Sequence, residues 1–157
     1  MDELSLETIM RPAVIVDEET AIRDALLRMN KEKTNELLVV DADGMLVGEV
    51  SVNDLLGAVI PVSDNSEDGI DTALAKLARE DEFKKALALA ADTSIADCMS
   101  YAVESVRADA RLIDVAATAL AMGQARIPVV DHDNRPVGII SRQGLRHILS
   151  EFLGVKE

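Results

Sequence analysis

Set against itself at an offset of 90 residues, the chain repeats. Val16 meets Val106, Ile22 meets Leu112, Asp24 meets Asp114, and Val39-Val40-Asp41 meets Val129-Val130-Asp131. Val47-Gly48 meets Val137-Gly138, and Ser51 meets Ser141. Upstream, Met10 meets Met99 at an offset of 89, so one residue slips between "IMRPAVIV" and "CMSYAVESV". Matches that share one order and nearly one spacing identify a duplicated unit of about 50 residues.

Each copy reads alike. A short apolar segment, "AVIV" or "AVESV", leads through a polar corner into a helix with apolar residues at helical spacing. These are Ile22, Ala25, Leu26 and Met29 in the first copy and Leu112, Val115, Ala116 and Ala119 in the second. A dense apolar run, "ELLVVD" or "RIPVVD", reads as a buried strand. The corners "DADG" and "DHDNR" have tight-turn chemistry, and "MLVGEVS" or "PVGIIS" returns as a second strand. A closing helix follows, "VNDLLGAVI" or "RQGLRHILSEFL".

The fold class is therefore α/β (α+β), with β-α-β-β-α twice. Three short strands with helices on one face leave the other face needing cover, so the two copies are expected to pack as a pseudo-twofold pair with a cleft at each end of their junction. The expected divisions are residues 6–60, 61–94 and 95–153. In the connector, "PVSDNSEDG" has turn composition and "IDTALAKLAREDEFKKALALAA" helical composition. Ile70, Leu74, Leu77 and Ala78 form one stripe and Phe83, Leu87 and Ala90 another, which predicts two helical pieces broken near Arg79 to Glu82. A packed helical connector and a lid or partner-binding element are both compatible with that pattern.

Composition narrows the function. The net charge of −13 opposes a phosphate backbone, and the lack of Trp, with one Tyr and two Phe, removes the platforms on which single-stranded bases stack. The charge is uneven: residues 1–95 hold 9 Lys/Arg against 21 Asp/Glu, and residues 96–157 hold 7 against 8, so an anionic ligand favours the second half. A single cysteine, Cys98, excludes an intrachain disulfide and fits a reducing compartment; its neighbours in "IADCMS" suit a small buried hydrophobe better than a reactive thiol. The acidic "MDELSLETIM" has neither an Arg-rich leader nor an apolar signal core, and no run approaches the roughly 20 apolar residues of a membrane span, so a cytoplasmic protein is expected.

Catalytic and metal patterns are absent. The two histidines, His132 and His147, flank no G-x-S-x-G elbow, and with one cysteine they cannot complete a structural zinc site. "DADGMLVGEV" turns apolar where calcium ligands should continue. No enzymatic activity and no metal are expected.

One motif remains. In "GEVSVND" a strand ends at Val50, Ser51 stands where a helix should begin, and Asp54 follows three positions later. Ser-x-x-Asp is compatible with a capping box, worth about 1 kcal/mol. The same geometry suits a nucleoside phosphate: free N–H groups and the serine hydroxyl meet phosphate, and a carboxylate one turn in accepts both ribose hydroxyls. The second copy, "GIISRQG", keeps Ser141 but has Gly144 where Asp54 stands.

"ELLVVDADGMLVGEVSVNDLLGAVI" and "RIPVVDHDNRPVGIISRQGLRHIL" together resemble a tandem pair of CBS domains, the Bateman module. The resemblance covers about two thirds of the chain and omits the connector. It implies an adenosine-containing ligand, such as AMP, ADP, ATP or S-adenosylmethionine, bound in the clefts between repeats. Matched to the family's G-h-x-[ST]-x-x-D motif, Asp54 is the ribose carboxylate and Ser51 lies near the phosphates, with Val50 flanking the base. The partner repeat's opening segment, Tyr101, Ala102 and Val103, would line the base, and Arg126 could face a phosphate. The second cleft, with Ser141, Arg142 and Gly144, departs from the motif and should be weaker. The family also implies a homodimer, for which Leu55 to Ile60 and Leu145 to Leu153 carry surplus apolar residues. The expected function is a regulatory, energy-sensing module that signals to an effector protein; the alternative is a structural dimerisation module with no physiological small ligand.

Overall fold

The computed structural model describes residues 4–58, 80–123 and 126–156. A short helix α1 (Leu6–Ile9) precedes β1 (Ile15–Asp17), α2 (Ile22–Glu32), β2 (Glu36–Val40), β3 (Leu46–Ser51) and α3 (Val52–Gly57). After α4 (Glu80–Ala90) and a 3-10 turn (Ile95–Asp97) come β4 (Val106–Arg107), α5 (Leu112–Met122), β5 (Ile127–Val130), β6 (Pro136–Ile140) and α6 (Arg142–Leu153). The described strands form two three-stranded sheets, ordered β1-β2-β3 and β4-β5-β6. In the second, β4 runs parallel to β5 with Val106 opposite Val129, and β6 runs antiparallel, with a bulge between Val129 and Val130.

The echo at 90 residues extends into backbone conformation. Helices α2 and α5 both end in the left-handed region, at Lys33 (φ 54°) and Gly123 (φ 61°). The strand corners place Gly44 (φ 82°) and Asn134 (φ 63°) there as well. In each corner an aspartate closes the turn on itself: Asp41 Oδ1 accepts the N–H groups of Asp43 and Met45 at 2.9 and 3.0 Å, and Asp131 Oδ1 those of Asp133 and Arg135 at 2.9 and 3.0 Å. Those N–H bonds, from Arg135 foremost, hold the Asp131 carboxyl below its ordinary pKa.

Two compact units result, and neither is a contiguous stretch. One joins Met1–Ile15, Val40–Val47 and Ala102–Glu157; the other joins Val16–Val39 and Gly48–Tyr101. In the first, Leu6 and Ile9 of α1 enter a core with Val106, Val115, Ile127, Val129, Ile140 and Ile148. Arg11 bridges to Ile139 by paired backbone bonds of 2.8 and 2.9 Å. In the second, Ala91, Ile95 and Met99 are buried, and the segment carrying them binds along the opening repeat. Ile22 N–H donates to Thr93 O at 2.9 Å, Ile95 N–H to Thr20 O at 2.9 Å, and Glu49 and Ser100 exchange bonds of 3.0 and 2.9 Å. Each repeat's opening segment thus completes the other repeat's unit.

The repeated Val-Gly pair explains how the segments fit. A Cβ on Gly48 would run into the Ser100 carbonyl and stand 2.6 Å from Met99 Cε; one on Gly138 would collide with Met10 and lie 2.8 Å from Arg11 O. Both glycines are kept because another backbone passes directly over them.

Some sequence expectations shift. Leu26, assigned to the buried face of α2, is 44% exposed, while Ile22, Ala25 and Met29 are buried. The opening strands are three and two residues long, shorter than "AVIV" and "AVESV", because the preceding residues cross to the other unit. Glu80 to Glu82 lie in the first turn of α4, which has no buried residue, and Arg79, on the other side of the expected break, lies outside the described residues. Ile70, Leu74, Leu77 and Ala78, together with Val59 and Ile60, lie outside the described residues. Cys98 is half-buried, not fully buried.

Candidate functional site

Strand β3 runs into α3 through Ser51, which keeps extended backbone (φ −113°, ψ 167°) and caps the helix. Asp54 N–H donates to Ser51 Oγ at 3.2 Å, and Ser51 N–H donates to Asp54 Oδ2 at 2.9 Å. The capping box is therefore real, and it also fixes the carboxylate: one oxygen is held by backbone while the side chain stays half-buried at the strand's end. Val50, just before, is fully buried, and Val52 N–H is taken by Asn35 O at 3.0 Å.

The segment that pairs with β3 brings further groups to this corner. Tyr101 follows Ser100 directly, is 55% exposed, and donates its hydroxyl to Ala96 O at 3.2 Å. Val50, Ser51, Asp54 and Tyr101 belong to one unit; Ala102, which is exposed, and Val103 and Arg126, which are half-buried, belong to the other. Sequence reasoning missed two neighbours. Gly48 admits the crossing segment, a role its place in the repeat could have signalled. Cys98 shares its surroundings with Asp54: burial first, then the Asp54 and Asp97 charges, push its thiol pKa up. A raised thiol pKa leaves little thiolate at neutral pH, so Cys98 is a poor nucleophile.

The corresponding corner of the second repeat differs in kind. Ser141 caps α6 by accepting Gly144 N–H at 3.4 Å, with no carboxylate to return the bond. Gly144 is buried, and a Cβ there would stand 2.9 Å from Ile140 Cγ2 and 3.4 Å from Ile9 O. A side chain there would first have to displace the Ile140 side chain, with the Ile9 carbonyl close beside it. Arg142 is exposed on the first turn of α6.

A family model described as CBS domain matches residues 6–61 and again 91–151. The chain belongs to the CBS domain family. As a CBS pair it is 26% identical to an uncharacterized protein of Methanocaldococcus jannaschii over 147 residues, 89% of this chain and 88% of that one. It is 32% identical to the chloroplastic CBS domain-containing protein CBSX2 of Arabidopsis thaliana over 133 residues, 82% of this chain, and spans just over half (55%) of that relative's length. Among solved structures, CBSX2 in complex with AMP superposes with a TM-score of 0.65 at 26% identity, covering 96% of this chain and 99% of that one. The CBS domain of a membrane protein from Sphaerobacter thermophilus gives a TM-score of 0.70 at 25% identity, covering 90% and 85%. No helix among the described residues is long and apolar enough to cross a membrane.

Proposed function

We propose that the protein is a regulatory, non-catalytic CBS pair that binds an adenosine-containing nucleotide at the Ser51–Asp54 corner. It would pass occupancy to a partner protein by a change of shape. The observation that carries this reading is the Asp54 carboxylate, half-buried and held by its Oδ2 to the Ser51 N–H at 2.9 Å. In that arrangement Oδ1 offers the acceptor for ribose hydroxyls, and the capping box prepares the site at no further entropic cost. Capping and binding are then two uses of one side chain. The AMP complex of the CBSX2 relative supports adenine nucleotide as the ligand class. AMP, ADP, ATP and S-adenosylmethionine are the candidates, with Tyr101, Ala102, Val103 and Arg126 as further contacts.

The test is calorimetry with those four ligands on wild type and Asp54→Asn. Asparagine keeps an oxygen for the Ser51 N–H, so folding survives while the charge-assisted contact of about 1.5–3 kcal/mol is lost, weakening binding at least tenfold. Equal affinity in wild type and variant would remove Asp54 from the site. Silence with all four ligands would instead favour a structural dimerisation module, the second reading, for which the apolar residues exposed on α6 speak.

A further inference from the structure

Helix α6 carries three separate stripes. At about 100° per residue, Gly144 and Ile148 face the core, and Leu149, Phe152 and Leu153 form an exposed apolar stripe. Gln143, Arg146, His147 and Ser150 share a third face. The helix ends in a left-handed turn at Gly154 (φ 69°), where Gly154 N–H donates to Glu151 O at 3.3 Å and Val155 N–H to Ser150 O at 2.9 Å. This doubled bond reverses the chain. Val155 and Lys156 consequently line one hollow of about 560 Å³ together with Gln143, Arg146, His147 and Ser150. A smaller hollow of about 140 Å³ shares Gln143 and His147 and brings in Arg11 and Thr8 from the opening segment.

The charge of this place runs against the rest of the chain. Acidic residues outnumber basic ones 29 to 16, yet among the described residues no carboxylate lines either hollow, while Arg146, Lys156 and Arg11 do. The larger hollow is open to solvent and has room for a small molecule. Val155 adds an apolar side chain to the lining beside the charges, and Gln143 and Ser150 add neutral hydrogen-bonding groups.

We propose that this hollow on α6 binds a small organic phosphate, its phosphate group held by Arg146 and Lys156 and its organic part resting on Val155. The site lies wholly within the second repeat's unit and shares no residue with the Ser51–Asp54 corner. The guanidinium makes paired bonds to phosphate oxygens, and the ammonium adds a mobile point charge from the reversed tail.

The test is amide chemical-shift titration of the full chain with phenyl phosphate and with inorganic phosphate, on wild type, the double variant Arg146→Gln/Lys156→Gln, and Asp54→Asn. Both mutated cations are exposed, so the double variant should fold. Saturating shifts at Gln143 to Ser150 and at Val155 are expected, with phenyl phosphate binding more tightly than inorganic phosphate. The double variant should bind at least tenfold more weakly, and Asp54→Asn should bind unchanged. Absent or non-saturating shifts, shifts centred on Gly48 to Asp54, equal affinity for the two probes, or an unaffected double variant would each overturn the proposal.

Discussion

Gly144 shows how one residue divides two copies of a motif. Its counterpart Asp54 has room to reach back to the Ser51 backbone, whereas any Cβ at Gly144 meets Ile140 and the Ile9 carbonyl. The lost carboxylate is thus tied to a steric condition set first by Ile140 and then by Ile9, so restoring the letter does not restore the site. Gly144→Asp should lower stability by roughly 1–3 kcal/mol, as over-packing does, and leave the nucleotide stoichiometry of the wild type unchanged. Chemical denaturation and calorimetry on the same variant measure the two effects. A second equivalent of bound nucleotide would show that Ile140 and Ile9 yield and that the corner is usable after all. That Ser51 caps a helix could be read from the sequence, because Ser-x-x-Asp after an apolar run has few other local meanings. The reason for Gly144 could not: Ile140 is near in sequence but its side-chain direction is set by the fold, and Ile9 lies 135 positions away.

The elements carry the duplication further than the side chains do. Helix α2 stops at Lys33 with φ 54°, and α5 stops at Gly123 with φ 61°. The second copy uses the residue suited to the left-handed region; the first puts a Cβ there, at a cost of about 1 kcal/mol. Lys33→Gly should therefore raise stability by about 0.5–1 kcal/mol, seen as a higher urea midpoint with an unchanged slope. A lower midpoint would mean that the lysine side chain contributes more than its backbone costs. Helix α6 follows its sequence pattern from Arg142 to Leu153, because a long amphipathic period leaves little choice. Strands β1 and β4 were less legible. Their apolar letters continue upstream of the paired residues, and nothing local marks where the chain leaves one sheet for the other unit.

For the whole molecule, the two-copy plan was legible in the spacing of matches, but the exchange of opening segments only through the family resemblance, which put Tyr101 to Val103 against the other repeat. The single-residue slip between Met10 and Met99 falls where the chain crosses, yet a slip alone does not say which sheet receives the segment. The exposed apolar residues on α6, Leu149, Phe152 and Leu153, belong to this scale too, since isolated exposed leucines are ordinary but a clustered stripe is not. The expected outcome is a homodimer by sedimentation equilibrium at micromolar protein, converted to monomer by Phe152→Glu/Leu153→Glu without loss of folded signal. A wild-type monomer at that concentration would sink the idea.

The exchanged segments also decide what a break in the polypeptide means. Residues 16–39 and 91–101 share a unit, as do residues 4–15 and 102–156, so both units draw on chain from either side of the connector. A cut between the described residues 58 and 80 would leave each unit with pieces of chain from both fragments, joined in one by the backbone bonds of Arg11 with Ile139 and in the other by those of Glu49 with Ser100. Cloning either repeat alone, by contrast, removes a wall from its own core, and a lesion at Leu6 is inherited by the copy that does not contain it.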